Sequence, residues 1–213
     1  MKDTIHFEVL KFWLEYFKEL INGEFKNIKR FVYFSWGTSL MFKYVDFPRF
    51  SVDLDFAVDI RWKKLDKLYY KLFAKLKENL EKICEEKEIP VYSSFGNWRE
   101  FCFQWEDSVR ILKIDFMYDW ILDYENCCGL RKISDLDIFV NKLQRMNKTD
   151  LIDLKFLYKK NKFSLKEVID WIQKKSQWLY WNPYYLSEKI LQRLEKIKWF
   201  KFLNELKNGL RLF

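Results

Sequence analysis

Hydrophobic and polar positions follow two rhythms along this chain. Over residues 3–21, apolar side chains recur at Ile5, Val9, Phe12, Trp13, Phe17 and Leu20. That three-to-four spacing predicts an amphipathic helix, which Asn22-Gly23 would end. Residues 31–35, FVYFS, are aromatic and β-branched and predict a strand. Trp36-Gly37-Thr38-Ser39 breaks it, and 40–44 predicts a short helix. Residues 52–58, VDLDFAV, predict a second strand. Residues 62–88 predict a long amphipathic helix, with Leu65, Leu68, Leu72, Leu76, Leu80 and Ile83 on one stripe. Residues 99–105 and 108–118 predict two more strands joined by a tight turn at Glu106-Asp107. From Ser134 the pattern is helical to the end, with breaks near Lys148, at 161–163 and at Asn182-Pro183. Strands thus fill the first 120 residues and helices the rest, which is an α+β front half with a helical back half.

Composition supports this division. Hydrophobic residues make up 49% of the 213, enough for a real core rather than a disordered chain. Only 5 Gly and 3 Pro favour long helices with short connections over a many-turned sandwich. The net charge of +8 suits nucleic acid or an anionic surface. The lysines are spread along the whole chain, so a merely solubilising role stays open. The longest uncharged runs, 31–42 and 176–187, have 12 residues each, whereas a membrane span needs about 20. The N-terminal helix carries charges throughout, so it does not read as a secretory signal. A soluble, cytoplasmic protein without membrane partners is expected.

Several chemistries are excluded. His6 is the only histidine, which rules out serine-type triads and His-rich metal sites. The cysteines are Cys84, Cys102, Cys127 and Cys128, with no CxxC pair, so structural zinc is not expected. Cys127 and Cys128 are adjacent, a poor geometry for a mutual disulfide, and reduced thiols are expected.

Three carboxylates stand out. In RFSVDLDF, residues 49–56, side chains alternate across the predicted strand, so Asp53 and Asp55 share one face while Leu54 and Phe56 share the other. Two carboxylates about 7 Å apart along one face repel unless a cation compensates. A hard divalent cation such as Mg2+ (or Mn2+) does so, taking one or two carboxylates together with substrate phosphates. In SVRILKIDFMY, residues 108–118, Lys113 and Asp115 share a face. If that strand lies beside the first, Asp115 completes a three-carboxylate site able to polarise a nucleotide α-phosphate and activate a hydroxyl. Upstream, a strand ends at Ser35, Gly37 allows a close turn and Thr38-Ser39 opens a helix, a place for phosphate at a helix N-terminus. Asp53 follows Thr38 by 15 residues. Each feature has a plainer alternative. Asp53 and Asp55 could face water on an edge strand, and Asp115 could pair with a neighbouring Lys or Arg.

The combination WGTSL…RFSVDLDF resembles the GGT-[AS]-L…R-x-S-x-D-L-D-F signature of AbiEii/AbiGii-type nucleotidyltransferases, a toxin family within the DNA-polymerase-β-like superfamily. The later DIFVNKLQRMNKTDLIDLKFL is similar to that family's second half, with Lys142, Arg145, Lys148, Asp150 and Asp153 on its basic and acidic positions. The resemblance runs over about residues 31–158. It implies a mixed sheet flanked by helices over 1–130 and a helical domain over 131–213 that closes over the nucleotide. It further implies an NTP substrate whose triphosphate is held by Gly37, Thr38 and Ser39, with metal on Asp53, Asp55 and Asp115. Lys142 would reach the phosphates, Asp150 and Asp153 would order the helical half or complete the site, and Arg49 and Ser51 would brace the loop. Lys113 is a further supporting candidate. The plainer readings are a surface position for Lys142, a first-turn acid for Asp150 and a Lys partner for Asp153. The sequence departs from the signature at Trp36, where the family has its first Gly.

The implied reaction moves NMP from an NTP to an acceptor hydroxyl, first the 3′ end of a tRNA, second a protein hydroxyl. A toxin of this kind implies a cognate antitoxin. A rival is a catalytically inactive module that binds nucleotide or RNA, with Trp36 blocking the triphosphate. The C-terminal segment interleaves Trp171, Trp178, Trp181, Tyr184, Tyr185 and Trp199 with Lys174, Lys175, Lys189, Arg193, Lys196 and Lys198. It fits an RNA face by stacking and charge. Burial of most of its Trp rings in a helical pair is the favoured reading.

Overall fold

The computed structural model describes residues 4–59, 61, 71, 74–75, 78–79, 81–82, 85–86, 95–97, 100–104, 111–194 and 201–211. The long helix expected over 62–88 and its leucine stripe lie largely outside these residues, as does the turn at Glu106-Asp107. The described positions between 71 and 86 are helical.

The chain divides into two units. The first comprises 1–119 with 125–132, the second 120–124 with 133–213. In the first unit, α1 (Thr4–Asn22) precedes β1 (Val32–Ser35), α2 (Trp36–Lys43), β2 (Asp53–Asp59), β3 (Phe95–Asn97), β4 (Glu100–Gln104), β5 (Ile111–Asp119), β6 (Tyr124–Cys127) and β7 (Leu130–Ile133). These strands form one mixed sheet in the order β3-β4-β5-β2-β1-β7-β6. β1 runs antiparallel to β2 and parallel to β7, and β2 runs parallel to β5.

The apolar rhythm of α1 is shifted from expectation. Leu10, Trp13, Leu14, Phe17, Leu20 and Ile21 are buried, while Phe12 is 41% exposed. Positions 10, 13, 14, 17 and 21 keep the i, i+3, i+4, i+7 spacing of one face, whereas Phe12 falls off it. Phe17 stacks on Phe56 with ring centroids 3.9 Å apart, and Phe56 meets Phe116 and Phe34 at 5.3 and 5.6 Å. This aromatic layer fixes which face of β1, β2 and β5 is core. Every side chain on the alternate positions is turned the other way.

Strands do not end by residue 120. β6 and β7 form a hairpin around Cys128-Gly129, whose φ values are 53° and 79°. A two-residue loop with both residues left-handed matches the right-handed twist of the flanking strands. Cysteine is an unusual first residue for it, which hid the hairpin from pattern reading. Glu125 of β6 anchors this edge, accepting from Lys43 of α2 at 2.7 and 2.8 Å and from the buried Lys132 at 2.7 Å.

The second unit is helical: α3 (Asp135–Arg145), α4 (Lys148–Asn161), α5 (Leu165–Tyr180), α6 (Tyr185–Leu194) and α7 (Lys201–Leu210). The breaks fall where expected. Asn147 and Ser164 open α4 and α5 with reciprocal capping boxes to Asp150 and Glu167. With glycine scarce, Met146, Lys162 and Trp181 end helices in the left-handed region at φ 49°, 51° and 56°. α3 is the central helix, with Ile138, Phe139, Val140 and Leu143 wholly buried. Among the described residues no helix is long and apolar enough to cross a membrane.

Candidate active site

The candidate site in the first unit begins with strand register. Asp55 lies directly opposite Asp115 of β5 and Ser35 of β1, and Asp53 lies opposite Lys113. Paired positions on neighbouring strands share a face, with strands about 4.8 Å apart. The core layer takes Phe34, Leu54, Phe56, Ile114 and Phe116, so Ser35, Asp53, Asp55, Lys113 and Asp115 share the opposite face. The expected gathering of three carboxylates on one face is therefore present. β2 is a central strand, which removes the edge-strand alternative.

Asp115 is also paired with a lysine. The Lys113 ammonium lies 2.6 Å from Asp115 Oδ2, with side chains 30% and 17% exposed. Among the described residues, no group of three His, Cys, Asp or Glu side chains is drawn together closely enough to hold a metal ion. The ammonium supplies positive charge on this face.

The turn before β2 is built by packing. Thr38 is fully buried and its hydroxyl donates to the Asp53 carbonyl, tying α2 to the first residue of β2. The Ser39 hydroxyl, also buried, donates to the Trp36 carbonyl at 2.8 Å. Both hydroxyls thus donate within the protein. The first turn of α2 has no side-chain cap, and its backbone N–H groups are the donors that could receive an anion.

Gly37 is closely packed under a side chain. A Cβ there would collide with the Arg49 guanidinium and lie 2.9 Å from Ser51 Oγ. Arg49 in turn caps the Phe47 ring at 5.5 Å and donates to the Phe50 carbonyl at 3.2 Å. Arg49 and Ser51 therefore brace the α2 turn. We expect Gly37→Ala to leave thermal stability nearly unchanged, because a flexible guanidinium can yield. Displacing the brace should still lower any nucleotide-dependent kcat/KM by on the order of 10- to 100-fold. Equal kcat/KM for variant and parent would show that the turn does not position substrate.

Trp36 has φ 61°, a left-handed backbone that suits the glycine of the resembling signature and strains a bulky residue. Ser35 was missed by pattern reading. It is fully buried, and its Oγ has no hydrogen-bond partner among the described residues. Its signal was position alone: the last residue of β1, opposite Asp55.

The acidic and basic residues expected from the helical half form a separate structure within the second unit. Lys142 is 1% exposed, and its ammonium lies 2.5 Å from Asp153 and 3.1 Å from Asp150. Arg145 adds a contact to Asp150 at 2.8 Å. Asp150 is the N3 acid of the capping box, and Asp153 has its Lys partner, as the plainer readings had it. Burial alone would push the Asp150 carboxyl up, but Arg145 and Lys142 outweigh it and hold it below the usual carboxylate range. A lysine neutralised by two buried carboxylates does not fit the expected reach to phosphate, nor a surface position. It fits the ordering of this unit.

A second buried network was not foreseen. Lys175, fully buried, lies 2.9 Å from Asp137, which also accepts from Trp171 at 3.2 Å and from the Leu122 and Asp123 amides at 3.1 Å. The expected burial of most tail Trp rings does not hold. Trp178, in the last turn of α5, and Trp181, its left-handed C-cap, are 47% and 82% exposed. Trp178 stacks on Trp120 at 4.7 Å. Trp199, Lys196 and Lys198 lie outside the described residues.

Residues 30–121 match the sequence profile of a family described as nucleotidyl transferase AbiEii toxin of type IV toxin–antitoxin systems. The match covers the front signature and not the 142–153 segment. None of the curated proteins matches the chain by sequence. Among solved structures, JHP933 from Helicobacter pylori is 18% identical with a TM-score of 0.51, covering 100% of this chain and 93% of its own. A candidate nucleotidyltransferase from H. pylori is 19% identical at TM-score 0.43, covering 91% and 88%. The antibiotic-resistance factor ANT(2'')-Ia is 12% identical at TM-score 0.40, covering 79% and 89%. Residues 30–121, which hold the carboxylate face and the glycine turn, thus carry the profile of the AbiEii nucleotidyltransferase toxin family, and the chain shares the fold of JHP933.

Proposed function

We propose that this nucleotidyltransferase takes an NTP and transfers NMP to the hydroxyl of an RNA acceptor, with the 3′ end of tRNA as the first candidate. The observation that carries the reading is the single face holding Asp53, Asp55 and Asp115, with the orphaned Ser35 hydroxyl and the uncapped start of α2 beside it. The donor set is all oxygen and suits Mg2+ or Mn2+. Asp53, Asp55 and Asp115 would hold the ion, and accepting it requires Asp115 to give up its bond to Lys113. When bound, the ion screens the carboxylates and polarises the α-phosphate.

The remaining roles belong to the chain. The α2 amides and Ser35 orient phosphate oxygens, and Gly37 keeps that approach open under the Arg49 brace. Asp115 takes the proton of the attacking hydroxyl. A new acceptor O–Pα bond forms, the Pα–O–Pβ bond breaks and pyrophosphate leaves. A net charge of +8 and the exposed rings of Trp178 and Trp181 favour RNA over a protein hydroxyl as acceptor. On this reading the protein acts in the cytoplasm, and a cognate antitoxin neutralises it.

A second reading has an observation of its own. Trp36 places a bulky side chain at the turn in a strained backbone, which favours an inactive module that binds nucleotide or RNA without transfer. One experiment separates the two. Pure protein is incubated with each α-radiolabelled NTP, Mg2+ or Mn2+ and total RNA, and the products are run on a denaturing gel. A labelled tRNA-sized band establishes transfer and names the base. Label on protein alone moves the acceptor to a protein hydroxyl. No label with wild type but label with Trp36→Gly identifies Trp36 as the block. No label with either protein sinks the transferase reading.

A further inference from the structure

Cys127 and Cys128 lie at the turn of the β6–β7 hairpin, at the edge of the sheet. Cys127 is buried and Cys128 exposed, and their sulfurs are 3.7 Å apart within hydrogen-bonding reach. The contact between the two sulfurs lowers the Cys128 thiol to about 7, and the nearby Lys18 ammonium adds to this against burial and Glu15. The same contact and burial push Cys127 far up. Lys18 is placed by packing, since a Cβ on Gly129 would meet its Cε at 3.0 Å, and its ammonium is held by Glu15 at 2.6 Å. The result is an exposed sulfur favoured toward its thiolate, with a buried thiol 3.7 Å away.

We infer that Cys127 and Cys128 form a reversible dithiol–disulfide site, in which Cys128 is the nucleophile toward hydroperoxides and Cys127 the resolving thiol. The steps balance. The Cys128 thiolate attacks one peroxide oxygen, the O–O bond breaks, and the leaving oxygen takes a proton to depart as water or an alcohol. Cys128 is then a sulfenic acid. The Cys127 sulfur attacks Cys128 Sγ, an S–S bond forms, and the Cys127 proton leaves with the sulfenic hydroxyl as water. The peroxide is reduced and the two thiols are oxidised.

Adjacency decides the character of the product. Neighbouring Cα atoms are held about 3.8 Å apart by the peptide, short of the usual disulfide range of about 4.4–6.8 Å. The ring is therefore strained, and strained, exposed disulfides are the readily reduced ones. The poor geometry expected from sequence argues against a permanent structural bridge and for a labile one. Closure must reshape a turn whose strand also carries Glu125, the residue that bonds Lys43 and Lys132. None of this depends on nucleotidyl transfer.

Trypsin cuts after Lys113 and Arg131, and the peptide 114–131 contains both residues and no other cysteine. Full-length protein is treated with limiting hydrogen peroxide, quenched with N-ethylmaleimide, digested and weighed. We expect this peptide to lose two hydrogens, to resist alkylation and to regain both thiols with dithiothreitol. Cys127→Ser should stop at a sulfenic acid on Cys128 that dimedone captures. Cys128→Ser should react roughly tenfold more slowly at neutral pH, as an ordinary thiol does. A wild-type peptide that stays doubly alkylated overturns the inference. So does one in which Cys128 advances to sulfinic acid without loss of two hydrogens. The wild-type measurement decides the matter even if either variant fails to fold.

Discussion

Replacing Asp53 and Asp55 together with asparagine is expected to lower nucleotidyl transfer by on the order of a thousandfold or more while leaving the fold intact. The two halves of that result have different causes. Both side chains are half-buried on the face away from the Phe17, Phe56 and Phe116 layer, so asparagine of the same shape disturbs no core contact. Asp55 lies opposite Asp115, where losing a charge relieves repulsion, and Asp53 lies opposite Lys113, where it removes attraction, so the two effects offset and thermal stability should hold. Transfer should fail because neutral amides cannot replace the charge that binds the ion and the triphosphate. Circular dichroism and thermal melts report the first half, and the radiolabel assay reports the second. Transfer at the parent rate by a well-folded double variant would remove these carboxylates from the chemistry and leave the face a structural one.

How much of this site was legible follows from what each residue does. Asp53, Asp55 and Asp115 could be placed on one face because strand alternation has a fixed period of two and the flanking residues are apolar. Gly37 could be singled out, but its reason could not. The Arg49 guanidinium over its Cα is a contact 12 residues away in sequence, and no local pattern carries it. Ser35 looked like the end of a strand, and only the register opposite Asp55 makes it a site residue. Trp36 was legible as a departure from a signature, while its left-handed φ explains why glycine belongs there. The β6–β7 hairpin was invisible because Cys-Gly is a rare choice for a loop that Asn-Gly would have announced.

The helical unit failed pattern reading in a more instructive way. Lysine is almost always solvated, so Lys142 and Lys175 read as surface or ligand-binding groups. Both are buried against carboxylates supplied by other helical turns: Asp150 and Asp153 for Lys142, Asp137 for Lys175. Sequence spacing could locate the acids, because Asp150 sits at a helix start and Asp153 one turn on. It could not say that a lysine on the preceding helix would be drawn inward to neutralise them.

That burial makes Lys142→Met the most disruptive single substitution we predict in the second unit. Removing one member of a buried ion cluster costs about 3–5 kcal/mol, because the remaining charges stay desolvated. Whole domains are stable by only about 5–15 kcal/mol, so the helical unit should be close to unfolding. Urea titration followed by far-ultraviolet circular dichroism measures the loss. Acid gives a second signature. In the parent, Asp150 is held below its unfolded value, so its contribution is fully present above about pH 5 and is lost only as the pH falls through the depressed value. Lys142→Met removes one of the two cations that hold Asp150 down, so this acid-sensitive contribution should shrink. Adding Asp153→Asn to Lys142→Met should restore part of the loss, since it removes one buried charge left by the lysine. A Lys142→Met protein with parental stability and slow transfer would return Lys142 to the triphosphate. A destabilised protein whose acid-sensitive stability has shrunk assigns Lys142 to holding α3 and α4 together.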